Sequence, residues 1–291
     1  MTGMTLSDTS PSPVPVPAGT SGPTLVLGGT GKTGRRVAQR LADRGLPVRT
    51  GSRSGTPPFD WDDPATWGPV LDGAAAVFVC FAPDLAVPGA VGTVEALTRL
   101  AVERGVQRVV LLSGRGEPAA QDAERRVLAA APSATVVRAS WFAQNLSEGP
   151  MLDDVLAGVL ALPVDGVREP FVDLEDVADV AVAALTEDGH EGLVHEVTGP
   201  RLLTFAELAA EVARATGRPL RHQPVPLAAY AEGLAGAGVP EDVVALLTYL
   251  FEEVLDGRNA SVADGVQRAL GRPARDVRVF AERTAASGVW G

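Results

Sequence analysis

T-L-V-L-G-G-T-G-K-T-G-R-R-V-A-Q-R-L, from Thr24 to Leu41, is the stretch whose reading decides the fold. Thr24 to Leu27 reads as a short buried strand, and Val37 and Leu41 follow at helical spacing. Between them Gly28, Gly31 and Gly34 stand three residues apart. Strand, glycine turn and helix together present bare N-terminal amides to a diphosphate, and glycine lets backbone and ligand approach closely. Gly29, Gly31 and Gly34 also satisfy G-x-G-x-x-G, so the run fits either dinucleotide fingerprint. The G-K-T at Gly31, Lys32 and Thr33 imitates a nucleoside-triphosphate loop, which needs a further glycine five residues earlier; that position is Val26, inside the strand.

Outward from this run, strands and helices alternate. Pro47 to Gly51 reads as a second strand, and a third closes at Asp60, with Asp63-Pro64 opening a helix. Val77 to Pro83 is a fourth, apolar throughout as burial on both faces requires. Val91 to Arg104 and Ala123 to Ala131 read as helices, Arg108 to Gly114 and Thr135 to Arg138 as strands five and six. This order predicts an α/β fold, a doubly wound, right-handed parallel sheet of the Rossmann type over residues 23–148. A strand and helix over Glu169 to Leu185 and a strand from Val194 to Thr198 bring residues 169–200 partly back to it. Residues 149–291 otherwise read as a smaller, helix-rich lobe over the sheet's carboxyl edge. It holds a capping box at Thr204 to Glu207, an apolar helical run from Leu227 to Leu255 broken between Gly236 and Pro240, and a helix over Ser261 to Leu270. Residues 1–22, rich in Pro, Ser and Thr, read as a disordered tail.

The composition narrows the function. A net charge of -11 argues against nucleic acid or an anionic membrane as partner. A single cysteine, Cys80, excludes an internal disulfide and reads as a buried strand thiol. His190, His195 and His222 lack metal-site spacing, so no metal is expected. The first basic residue is Lys32, and no apolar run reaches bilayer length, so the expected location is cytoplasmic. Ser52 and Arg53 fall where a dinucleotide fold meets the adenosine ribose. A carboxylate there would favour NAD; a guanidinium can fork onto a 2′-phosphate, so NADP(H) is expected over NAD(H).

Taken together the runs resemble the NmrA-like, atypical branch of the short-chain dehydrogenase/reductase superfamily, from about Thr24 to Thr284. Gly28, Gly31 and Gly34 match its G-x-x-G-x-x-G, Asp60 the aspartate on the adenine side, and Phe81-Ala82-Pro83 the strand end beneath the cofactor ribose. Arg138, Phe142 and Asn145 match its R-P-x-x-F-x-x-N signature, with Ala139 in place of the usual proline. The resemblance implies an NAD(P)-binding protein contacting cofactor through Gly28, Thr30, Gly31, Lys32, Thr33, Gly34, Ser52, Arg53, Asp60, Phe81, Ala82 and Pro83. It implies either a reductase of small conjugated substrates or a non-catalytic NADP(H) sensor that docks on a protein partner.

The chain has one lysine, Lys32, and two tyrosines, Tyr230 and Tyr249, so the Tyr-x-x-x-Lys acid–base pair of ordinary short-chain dehydrogenases is impossible. Hydride transfer remains open for quinones, cationic dyes, iminium groups and activated alkenes, which spread incoming charge over their own π-system. For these, Ser113 is the expected hydrogen-bond donor, Trp141 and Phe142 the walls of the nicotinamide and substrate pocket, and Asn145 the holder of an amide or carbonyl.

Overall fold

Leu25 and Leu27 point to one face of the first strand and Val26 to the other, and each face finds its own layer of helices. The computed structural model describes residues 22–149 and 151–291; the proposed tail, apart from Gly22, lies outside them. In chain order the elements are β1 (Thr24–Leu27), α1 (Lys32–Asp43), β2 (Val48–Gly51), a 3-10 turn at Pro64–Thr66, α2 (Trp67–Leu71), β3 (Ala76–Val79), α3 (Ala90–Glu103), β4 (Arg108–Gly114), α4 (Pro118–Ala130) and β5 (Thr135–Ala139). Then follow α5 (Asn145–Glu148), α6 (Leu152–Ala157), β6 (Val159–Leu162), α7 (Leu174–Thr186), β7 (Val194–Val197), α8 (Phe205–Thr216) and β8 (Arg221–Pro224). The chain closes with α9 (Leu227–Gly236), α10 (Glu241–Tyr249), a π-turn at Leu250–Val254, α11 (Gly265–Leu270) and α12 (Val277–Ala286).

The sheet is parallel in the order β2-β1-β3-β4-β5-β7. Trp67, Val94, Leu97, Ala123 and Val127 cover one face and Val37, Leu41, Val177 and Ala181 the other, which makes it doubly wound. The chain's order reverses between β1 and β3, so their carboxyl ends form the crevice where such sheets take ligands. β7 returns to the sheet beside β5, Thr204 and Glu207 close the capping box of α8, and the break at Gly236 to Pro240 separates α9 from α10.

Three expectations change. No strand ends at Asp60: Pro57 and Pro58 precede it and cannot donate to a ladder, and Phe59 N instead bonds the loop carbonyl of Ser52 at 2.9 Å. The short strand before α7 reduces to isolated bridges, Phe142 with Val172 and Glu169 with Leu203. The helix expected from Ser261 begins at Gly265, where an added Cβ would meet Glu196 O at 2.1 Å. The lobe also contains a two-stranded parallel sheet, β6 with β8, and a last helix, α12, packed on α8. Its core gathers Leu160, Leu162, Phe171, Phe205, Phe251, Phe280 and Trp290.

Candidate active site

The turn after β1 is set by steric demands. Gly28 holds φ +67, and a Cβ there would meet Cys80 O at 2.9 Å. A Cβ on Gly34 would stand 2.2 Å from Gly28 O, so helix and turn touch backbone to backbone. Gly31 N donates to Gly28 O at 2.9 Å and Arg35 N to Gly31 O at 3.1 Å. The amides of Lys32, Thr33 and Gly34 have no acceptor among the described residues. Gly28 with its positive φ favours the G-x-x-G-x-x-G register, although Gly29 is itself crowded by Thr50 Cγ2 at 2.5 Å.

Charge around this turn is arranged against the ordinary rule. The first turn of α1 has no acidic residue and carries Lys32 and Arg35, with Arg36 following, at the positive end of the helix dipole. Carboxylates from distant segments offset most of that. Glu148 pairs with Arg35 and Arg36, Glu175 with Arg36 at 2.8 Å and with Arg40, and Asp179 with Arg40 at 2.6 Å. Lys32 differs: its Nζ donates to the neutral Asn145 Oδ1 at 2.7 Å. Burial, helped by Arg36 and Arg35 and opposed by Glu148, lowers its pKa. An anion over the free amides would meet this cation.

From the turn a cleft of about 820 Å³ runs along the strand ends, lined by Gly28, Thr30, Ser52, Arg53, Asp60, Phe81, Ala82 and Pro83 among others. Eight of the residues expected to contact cofactor thus meet at one surface; Gly31, Lys32, Thr33 and Gly34 form the turn beside it. Arg53 is exposed at the cleft edge and pairs with no carboxylate among the described residues. The sequence did not single out Trp61, which packs at a tilt against Phe81 with centroids 4.7 Å apart and edge-to-face against Phe59 at 4.8 Å, giving the cleft an aromatic wall.

The residues expected beyond the nicotinamide end do not converge. Ser113 is buried and its hydroxyl donates to Glu124 at 2.6 Å, and Glu124 in turn pairs with Arg138. Phe142 packs into the core under α7, whereas Trp141 faces the lobe against Phe251 at 5.5 Å and Phe205 at 6.2 Å. The indole N–H of Trp141 is buried with no acceptor among the described residues. The carbonyl oxygen of Asn145 is taken by Lys32. Cys80 lies one residue past β3 and is half-buried; burial and the charge of Asp84 push its thiol up to about 12, far from a nucleophile's range.

Sequence reading missed the acidic residues nearest the strand ends. Glu117, which precedes α4, is 7% exposed, and its Oε2 is buried with no donor among the described residues. Burial first, then Asp84 and Glu124, push its carboxyl up to about 9. The available signal was its position: Glu117-Pro118 opens α4 just past the carboxyl end of β4. Among the described residues no group of three or more His, Cys, Asp or Glu could hold a metal ion, and no helix is long and apolar enough to cross a membrane.

No protein-family model matches the chain. It is 31% identical to the NAD(P)H azoreductase of Xenophilus azovorans, over 90% of this chain and 98% of that protein. It is 36% identical to the (4-alkanoyl-5-oxo-2,5-dihydrofuran-3-yl)methyl phosphate reductase of Streptomyces griseus, over 87% of this chain and 95% of that one. Its fold matches the Citrobacter sp. triphenylmethane reductase complexed with NADP(H) at a TM-score of 0.71 and 19% identity, over 90% and 99% of the two chains.

Proposed function

Since this chain belongs to the NmrA-like, atypical branch of the short-chain dehydrogenase/reductase superfamily of NAD(P)H-dependent oxidoreductases, we propose that it uses NADPH to reduce a small conjugated acceptor without a Tyr-Lys pair. The observation that carries this reading is the continuous cleft from the glycine turn to Arg53, which is unpaired among the described residues. The residues fit the cofactor: the Gly28–Gly34 contact leaves no room for a Cβ, and the free amides with Lys32 suit a diphosphate. Arg53 and Ser52 suit a 2′-phosphate, Trp61 and Phe81 an adenosine, and Asp60 lies on the same wall. When bound, reduced nicotinamide supplies a hydride.

The chain's own part is to bind and to orient. α1 and the turn hold the phosphates, the Glu148 and Glu175 pairs fix α1 to α5 and α7, and the lobe lies over the strand ends. Relatives that reduce azo compounds and an oxo-dihydrofuran support an acceptor whose π-system takes up the hydride. Purified protein titrated by fluorescence should bind NADPH more tightly than NADH and should oxidise NADPH when offered quinones, azo dyes or unsaturated carbonyls. Tight cofactor binding with no turnover across that panel, and a protein partner recovered by pull-down, would select the regulatory sensor instead.

A further inference from the structure

Glu117 precedes the first residue of α4, yet its side chain makes no capping bond to that helix. Its carboxyl turns back over the end of β4 instead. A Cβ on Gly114 would stand 1.9 Å from Glu117 Oε1, so the bare glycine is what admits the carboxyl there. The neighbours that face it come from three elements. Asp84 follows β3 and its carboxylate raises the Glu117 carboxyl, Glu124 lies about two turns further along α4, and Tyr249 ends α10 in the lobe. Arg115, two residues before it, is committed to Glu196 at 2.7 Å and to the carbonyls of Asn259 and Ser261, and Glu124 is paired with Arg138.

An acidic neighbour favours the protonated form of an enclosed carboxyl, because two carboxylates close together repel. Glu117 is the enclosed member, with Oε2 sealed from water and without a donor, while Asp84 is half-buried and nearer solvent. Tyr249 carries a phenol whose pKa is raised by burial first, then by Glu117, Glu253 and Asp84, with Arg258 opposing. Both ends of the cluster therefore hold protons at neutral pH. They stand where β3 and β4 end, one strand beyond the adenosine cleft, in the direction a dinucleotide lying across the switch point extends.

We propose that Glu117, with Asp84 beside it, is the acid that delivers a proton to the acceptor, in the place left by the missing tyrosine and lysine. This rests on the reductase reading above. The balance is simple for a quinone or an activated alkene. The acceptor gains two electrons with the hydride and one proton from the Glu117 carboxyl, which is left as carboxylate and regains a proton from water by way of Asp84. A cationic dye needs no proton: hydride alone converts it to its neutral product. The proposal therefore separates two classes of acceptor.

The test pairs spectroscopy with that separation. Infrared difference spectra of cofactor-free protein should show the carbonyl stretch of a neutral carboxylic acid at pH 7. The band should lose its Glu117 component in Glu117→Gln, leaving that of the buried Glu169, whose carboxyl is pushed up to about 7; in the wild-type protein the Glu117 component should fade only as pH rises toward 9. With NADPH affinity measured separately and unchanged, Glu117→Gln should lose roughly 100-fold or more in kcat on quinones. It should keep cationic-dye reduction near wild type. Asp84→Asn, which keeps a donor beside Glu117, should flatten the alkaline limb of the quinone profile with a smaller loss. An acid band that Glu117→Gln leaves unchanged overturns the proposal, as does equal quinone turnover in Glu117→Gln, or equal loss on quinone and dye. A wild-type protein that shows the band but reduces no acceptor defeats the reductase reading alone, since the pair would still hold its proton.

Discussion

The glycine turn and the acid cluster lie at neighbouring strand ends and are built by opposite means. The turn is made of backbone: Gly34 is forced by an atom 2.2 Å away that belongs to Gly28 itself, six residues earlier. The cluster is made of side chains from Asp84 after β3, Glu117 before α4 and Tyr249 at the end of α10. A site made of backbone tolerates no insertion of atoms, whereas a site made of side-chain tips can adjust. One substitution, glycine to alanine, applied to each region tests that difference.

At Gly34 the added methyl meets backbone that cannot move aside without breaking the turn. Gly34→Ala should cost on the order of 3 kcal/mol or more and abolish NADPH binding, read by thermal unfolding and by fluorescence titration. Wild-type affinity in this variant would show that the turn is not the phosphate site. At Gly114 the methyl meets only the end of a flexible side chain. Gly114→Ala should change stability by about 1 kcal/mol or less, leave NADPH affinity intact, and displace the Glu117 carboxyl, so that quinone turnover falls and dye turnover does not. If both variants lose cofactor binding alike, the two regions are one unit and the contrast fails.

The same contrast explains what the sequence made legible. The turn could be read because its information is local: three glycines, a strand and a helix within eighteen residues. β3 and the middle of β4 were equally legible, since strands buried on both faces show as uninterrupted apolar runs, whereas β2 and β7, V-R-T-G and V-H-E-V, were placed by their spacing from their neighbours. The third strand was misread because Phe59 and Trp61 gave an apolar signal that belongs to an aromatic cluster at the cleft wall. β8 escaped notice because Arg221-His-Gln-Pro224 is a largely exposed strand with no apolar run to mark it, and β6, only Val159–Leu162, is too short to declare itself without that partner. Ser113 sat at a suggestive place, yet its partner Glu124 comes from α4, and nothing in the local sequence shows that the two meet. Glu117 was passed over because a lone glutamate before a proline reads as the solvated start of a helix. Only Gly114 and Asp84, supplied by the tertiary fold, turn it into an enclosed acid.

A smaller effect tests the far end of the cleft. Arg53→Asp should move the ratio of NADPH to NADH affinity by ~10- to 100-fold toward NADH, because one charge-assisted fork is lost and a carboxylate is offered to the ribose hydroxyls. Stability should hardly change, as Arg53 is exposed and unpaired among the described residues. An unchanged ratio in side-by-side titrations would remove Arg53 from the site and leave the turn's role untouched.

The smallest effects lie in the pH dependence of stability, and here the two regions should part in sign. Burial alone would raise the Glu175 carboxyl, but hydrogen bonds from Arg36 and Arg40 outweigh it and hold the group at about 2. A carboxyl depressed by folding stabilises above its ordinary value of 4.5, and that contribution is lost as pH falls toward about 2. Glu117 runs the other way. Its carboxyl is raised to about 9, so between 4.5 and 9 the folded chain holds a proton the unfolded chain has released. That contribution is complete below 4.5 and disappears as pH climbs through 9. Melting temperatures measured from about pH 2 to about pH 10 should fall at both ends. Glu175→Gln should flatten the acid limb alone and Glu117→Gln the alkaline limb alone. A Glu117→Gln profile that falls between pH 7 and 9 as steeply as that of wild type would mean that the enclosed carboxyl is ionised in the folded protein and has no proton to give.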